Sequence, residues 1–150
     1  MKKVIVYTDG AARGNPGRGG YGTILIYGKH RKEFSQGFIK TTNNRMELLA
    51  VIVALEALNK EPCEVEVYSD SKYVVDSVMK KWVDGWVKKD FKDKKNVDLW
   101  KRFLIARAQH KVTLIWVKGH AGNPLNERCD ELAVNAADGG NLIPDNNFIE

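Results

Sequence analysis

"TTNNRMELLAVIVALEAL" runs from Thr41 to Leu58, and after its polar start it is almost wholly apolar. Apolar residues on every face predict a helix over Met46 to Leu58 that is buried rather than laid on a surface. Its neighbours then decide the fold. Three strand-like segments precede it. The first is Val4 to Thr8, ended by Asp9-Gly10. The second is "YGTILIYG" from Tyr21, and Gly28-Lys29-His30 turns it into the third, "RKEFSQGFI" from Arg31. These read as an antiparallel meander, with "GAARGNPGRGG" from Gly10 as a glycine-rich loop between the first two. After the helix comes "EVEVYS", Glu64 to Ser69. A helix between strands is the crossover that parallel pairing needs, so this fourth strand is placed beside the first. A fifth strand, "VTLIWVK" from Val112, follows, with helices opening at Ser71, Asp98 and Asn123-Pro124. The class is α/β: a five-stranded mixed sheet, three strands antiparallel then two parallel, flanked by helices.

The chain has 150 residues and formal net charge +5. That is the length of one domain, 1–150, with about 139–150 expected as an irregular, mobile tail. Cys63 and Cys129 form no Cys-x-x-Cys pair and read as reduced thiols of a cytoplasmic protein. The N-terminal "MKKVIVYTDG" is too short for a signal-peptide core. The longest apolar run, Leu48 to Leu55, falls well below the ~20 residues that span a bilayer. Secreted disulfide scaffolds and membrane proteins are therefore not expected. Lys80 to Lys95, "KKWVDGWVKKDFKDKK", carries +4 of the net charge, an electrostatic footprint for a polyanion. Within it, Trp82 and Trp86 lie four apart on one helix face. They either pack on the body of the fold or meet a nucleic-acid backbone.

Gly17 to Gly22 matches G-x-G-x-x-G, but it leads into a strand and offers no helix N-terminus to a phosphate, so a dinucleotide site is not expected. Four carboxylates carry more. Asp9 and Asp70 end two strands placed as parallel neighbours, which sets both at one sheet edge, where α/β folds bind ligands. Each has an ordinary local role as well: Asp9-Gly10 as a turn, and Asp70 or Ser71 as a helix cap. Glu47 lies three residues past Asn44, the spacing of a capping box. Asp130 sits among Glu127, Arg128 and Glu131 and reads, alone, as solvated. Taken together, clustered carboxylates need protons or cations. Mg²⁺ prefers oxygen ligands and phosphate oxygens. With the lysine-rich stretch, the set points to metal-assisted phosphodiester chemistry.

"YTDGAARGNPG", "TTNNRMEL", "SDSKYV", "KNVDLW" and "WVKGHAGNPLNERCDELA" resemble the signature segments of type 1 ribonuclease H in its bacterial single-domain form, from about Val4 to Ala137 and in the same order. The resemblance implies the ribonuclease H-like fold and hydrolysis of the RNA strand of RNA–DNA hybrids, without sequence preference, leaving 5′-phosphate and 3′-hydroxyl ends. It implies two Mg²⁺ ions, with Mn²⁺ as a substitute, held by Asp9, Glu47, Asp70 and Asp130, and it matches the family's mobile loop histidine to His120. It further implies that Asn15, Asn43 and Asn44 enter the minor groove and that Thr42 and Asn96 grip a phosphate of the DNA strand. Those two also fit turn and helix-cap duty. Trp82, Trp86, Lys88 and Lys89 belong to the basic handle, and a monomer is the family's default. Lys72 stands where glutamine is common, Ala12 where cysteine often occurs, and Phe91 near a frequent tryptophan; these departures touch substrate grip. Two other readings stay open from sequence: a catalytically silent hybrid-binding module, and a DNA-cutting nuclease of the same fold.

Overall fold

The strand-forming segments pair as one sheet in the computed structural model, which describes residues 1–119 and 121–149. In chain order the elements are β1 (Lys2–Gly14), β2 (Gly17–Tyr27), β3 (His30–Thr41), α1 (Asn43–Ala57), β4 (Cys63–Ser69), α2 (Lys72–Met79), α3 (Trp82–Lys88), α4 (Val97–Arg107), β5 (Lys111–Trp116), α5 (Pro124–Asp138) and β6 (Leu142–Ile143). The sheet order is β5-β4-β1-β2-β3-β6. β2 is antiparallel to β1 and β3, and β4 is parallel to β1 and β5, as the crossover helix requires. The expected strands are all present. A sixth is added from the tail, where Leu142 and Ile143 pair parallel with Gly37 and Phe38 of β3. Two residues carry no periodicity, so this strand has no sequence signal.

α1 lies on one face of the sheet with α4 against it, and α5 covers the other face over β1, β2 and β3. Eight apolar residues of α1 are buried, from Met46 to Leu55. Burying a large aliphatic side chain contributes about 1.5–3 kcal/mol, against about 1 kcal/mol for a cap. Packing, not capping, holds this helix. Val4, Val6, Val65 and Val67 meet it from the sheet. Trp100, fully buried on α4, gathers Tyr73, Trp86 and Phe103 around its edges at 5.6–5.8 Å.

The segment read as a glycine-rich loop is a β-hairpin. The β1–β2 ladder continues through Ala11↔Gly20 to Gly14↔Gly17. Glycine is normally depleted in strands, which is why its density reads as loop. Here the helices demand it: a Cβ on Gly22 would lie 2.3 Å from the Cys129 carbonyl oxygen of α5. Gly17 to Gly22 therefore runs in a strand, consistent with the failed dinucleotide motif. Cys63 and Cys129 are both buried free thiols. Among the described residues, no helix is long and apolar enough to cross a membrane.

Candidate active site

The parallel β1–β4 register runs from Lys2↔Cys63 to Thr8↔Ser69. Asp9 and Asp70 are the next residues on each chain, so both side chains emerge where that ladder stops. Neither performs the local task that sequence allows it. Asp9 is no turn residue, because it pairs with Gly22 inside the β1–β2 ladder. The cap of α2 is Ser71, whose side chain accepts from the Val74 N–H, which leaves Asp70 without that duty. Glu47 forms no capping box with Asn44. The N-cap is Thr42, which accepts from the Arg45 N–H at 3.3 Å, and the first turn holds no acidic residue. Glu47 is brought to Asp9 by backbone contact. A Cβ on Gly10 would lie 2.5 Å from the Glu47 nitrogen and 2.7 Å from the Met46 carbonyl carbon, so only glycine lets β1 and α1 approach this closely.

One carboxylate oxygen from each of Asp9, Glu47 and Asp70 lies within 4.8 Å of the others. Asp9 and Glu47 are about 95% buried, at 5% and 4% exposure. Asp130, on α5, faces the same open cleft of about 420 Å³, walled also by Asn43, Asn44, Lys72 and Tyr73. Its position is not that of a merely solvated helix residue. Glu47 Oε1 and Asp70 Oδ1 are buried and accept no hydrogen bond. Buried carboxylate oxygens without donors are costly, and a hard cation satisfies several at once. The residues present fit a divalent metal ion.

Burial first, and then the Asp70 charge, push the Asp9 carboxyl up to about 8. Burial, then Asp9 and Asp70, hold Glu47 well above the ordinary carboxylate range. The Asp9 value in the fold exceeds its ordinary 3.8, so the protonated form favours folding. That contribution is complete below about pH 4 and is lost as pH rises through 8. In chelator, the melting temperature of the wild type therefore falls between pH 5 and 8 relative to Asp9→Asn. At pH 8 the variant is the more stable by on the order of 5 kcal/mol. Thermal melts across pH measure this, and parallel curves for the two proteins would contradict it.

A family model described as RNase H matches residues 1–138. The chain belongs to the ribonuclease H family. It is 62% identical to the ribonuclease H of Lachnoclostridium phytofermentans, covering 96% of this chain and 98% of that protein. It is 53% identical to that of Pseudoalteromonas atlantica, covering 99% of each. Among solved structures it resembles LC9-RNase H1, a type 1 RNase H with the type 2 active-site motif, with a TM-score of 0.83 at 34% identity over 91% of this chain and 72% of that one. It also resembles LC11-RNase H1 in complex with an RNA/DNA hybrid, with a TM-score of 0.68 at 28% identity over 90% and 96% of the two chains.

The remaining positions matched to ribonuclease H segments divide between cleft and handle. The Asn43 N–H donates to Asn15 Oδ1 at 3.2 Å, which ties the β1–β2 hairpin tip to the start of α1, with exposed Asn44 beside them. Lys72 is exposed, and its ammonium lies 4.8 Å over the Trp116 ring. Thr42 has the cap role described, and Asn96 stands at the N-cap position of α4 but makes no side-chain capping bond. Its amide donates instead to the Tyr73 hydroxyl at 3.1 Å, and its Oδ1 lies 3.5 Å from Arg45 Nη1. The tryptophan pair splits. Trp86 turns inward, edge-on to Trp100, whereas Trp82 is 46% exposed with Lys80 over its ring. Lys88 and Lys89 are exposed at the end of α3. Phe91 is buried and its N–H donates to the Trp86 carbonyl at 2.8 Å, so it anchors the handle. His120 lies outside the described residues.

Sequence reasoning missed Arg45, Asp98 and Asp145. Arg45 is 2% exposed and is held bidentately by Asp98 at 2.7 and 2.8 Å and by Asp145 at 2.7 and 3.0 Å. Burial works against its charge, and the two carboxylates more than offset that, leaving its pKa above the ordinary arginine value. The one available signal was an arginine within a run otherwise destined for the core.

Proposed function

We propose that this ribonuclease H family member is an endonuclease that hydrolyses the RNA strand of RNA–DNA hybrids without sequence preference, leaving 5′-phosphate and 3′-hydroxyl ends. The observation that carries this is the convergence of Asp9, Glu47 and Asp70 within 4.8 Å, with orphaned oxygens on two of them. The likeness to LC11-RNase H1, solved with such a hybrid, supports the substrate. Asp9, Glu47 and Asp70 would hold the metal, with Asp130 adding a carboxylate from the other side of the cleft. Mg²⁺ ions bound there, or Mn²⁺ in their place, would supply activation of the attacking water and neutralise charge on the leaving oxygen. The protein's own part is to present these oxygens preorganised and to release the proton of Asp9 when a cation arrives.

Around the cleft, Asn15, Asn43 and Asn44 meet the wide minor groove of the hybrid and its 2′-hydroxyls, while Thr42 and Asn96 hold a DNA-strand phosphate. Trp82 offers its exposed ring to the backbone, and the lysines of the handle meet DNA phosphates. Affinity then falls with salt, with a slope near −0.9 per phosphate contact. Replacing Lys88 and Lys89 together by Ala lowers that slope by about 1–2 in a salt titration of hybrid binding. An unchanged slope removes the two lysines from the interface. His120 serves proton transfer or product release: His120→Ala slows turnover by about 10²-fold and leaves Mg²⁺ affinity, read by calorimetry, in place. Undiminished turnover ends that role.

The decisive test of the activity compares hybrid, RNA duplex, DNA duplex and single strands, each with Mg²⁺ and with chelator. Cleavage of the RNA strand of the hybrid, dependent on Mg²⁺, is expected. Binding without cleavage in both conditions marks a silent module, and cleavage of DNA duplex marks a different nuclease.

A further inference from the structure

Thr41 and Thr42 adjoin at the start of α1, yet their hydroxyls have different partners. Thr42 caps the helix. Thr41, fully buried, donates to Asp145 Oδ2 at 2.8 Å. The same Asp145 oxygen accepts from Arg45 Nε at 2.7 Å, and its Oδ1 accepts from Arg45 Nη2 at 3.0 Å. From there Arg45 Nη1 approaches Asn96 Oδ1 at 3.5 Å. Asn96 sits at φ 62°, a left-handed conformation that nothing in α4's own cap supports, and its amide is held between Arg45 and Tyr73. Phe148, three residues past Asp145, closes over the guanidinium at 5.6 Å.

Thr42 and Asn96 come from separate segments, and Asp145 reaches toward both. It fixes the residue before Thr42 directly and the guanidinium beside Asn96 by two bonds. Asp98 alone binds one edge of that guanidinium; a second carboxylate on the Nε edge sets its plane. We propose that Asp145, from the C-terminal tail, is a positioning residue that sets the spacing between Thr42 and Asn96 and thereby the grip on a single DNA-strand phosphate. The inference rests on the grip proposed above for those two residues. Asp145 itself touches no substrate. The tail thus acts on substrate affinity through Thr41 and Arg45.

A set of hybrids tests it, each with one neutral methylphosphonate at a successive position of the DNA strand, assayed for KM and kcat with the full-length protein. The wild type is expected to show a KM penalty of about tenfold at the position of the grip, identified as the one whose penalty Thr42→Ala removes. In Asp145→Ala the penalty at that position falls below about twofold, while the penalties from the lysine handle persist. Asp145→Asn, which keeps the side chain's shape and one acceptor, gives an intermediate value and serves if the alanine variant does not fold. All assays run well below each variant's melting temperature. Retention of the full penalty in both Asp145 variants overturns the positioning role, as does an equal loss at every position, the mark of general destabilisation. If Thr42→Ala removes no penalty anywhere, the grip is wrong and the role of Asp145 falls with it.

Discussion

Asp9→Asn lowers the rate of hybrid cleavage by at least about 10³-fold, equivalent to some 4 kcal/mol of barrier, while hybrid affinity stays within about tenfold. The amide nearly matches the carboxylate in shape, and its oxygen still accepts the Gly10 N–H that Asp9 Oδ1 accepts at 2.9 Å. What it removes is the charge beside Glu47 and Asp70, and with it one carboxylate oxygen of the group that could hold a metal ion. The same substitution stabilises the metal-free protein at pH 8, because it relieves the repulsion and desolvation that push the Asp9 carboxyl up to about 8. Activity and stability moving in opposite directions mark a residue held against its own preference for function. Single-turnover cleavage and a thermal melt of the same preparation measure both. A rate within tenfold of wild type would remove Asp9 from the chemistry, and a large loss of stability would make its role structural.

Arg45→Ala is the most destabilising single change expected in the fold. It leaves Asp98 and Asp145, with side chains 30% and 11% exposed, facing an emptied cavity without a cation. Breaking a buried pair in this way costs about 3–5 kcal/mol. For a domain of this length that lowers the melting temperature by about 10 °C. Arg45→Lys recovers little, since one ammonium cannot reproduce the four bonds that two carboxylates make to the guanidinium edges. Because the site is buried, the deficit persists in high salt. Calorimetry at pH 7 measures it, and a drop of less than about 3 °C would show that the triad contributes little.

What could be read from sequence follows from how local each signal is. Alternating valines in β1 and β4 and the all-round apolar helix between them fixed the parallel pair, and with it the meeting of Asp9 and Asp70. Glu47 was legible as part of the site only through the resemblance, because its approach to Asp9 depends on Gly10 lying against α1, a contact between distant segments. The hairpin from Gly10 to Gly20 reads as loop in sequence, since glycine forced by a neighbouring helix looks the same there as glycine chosen for a turn. The tail gave least. Asp145 among Pro144, Asn146 and Asn147 has the composition of a turn, and its partnership with Arg45, a hundred residues away, leaves no periodic trace. Trp82 and Trp86 carry identical spacing signals for packing and for exposure, and only the position of Trp100 separates them.

Diffraction at the manganese edge from crystals soaked in Mn²⁺ tests the central claim most directly. An anomalous peak enclosed by the carboxylates of Asp9, Glu47 and Asp70, lost in crystals of Asp9→Asn, is the predicted result. A peak elsewhere on the protein, with none between these three side chains at saturating Mn²⁺, would contradict it.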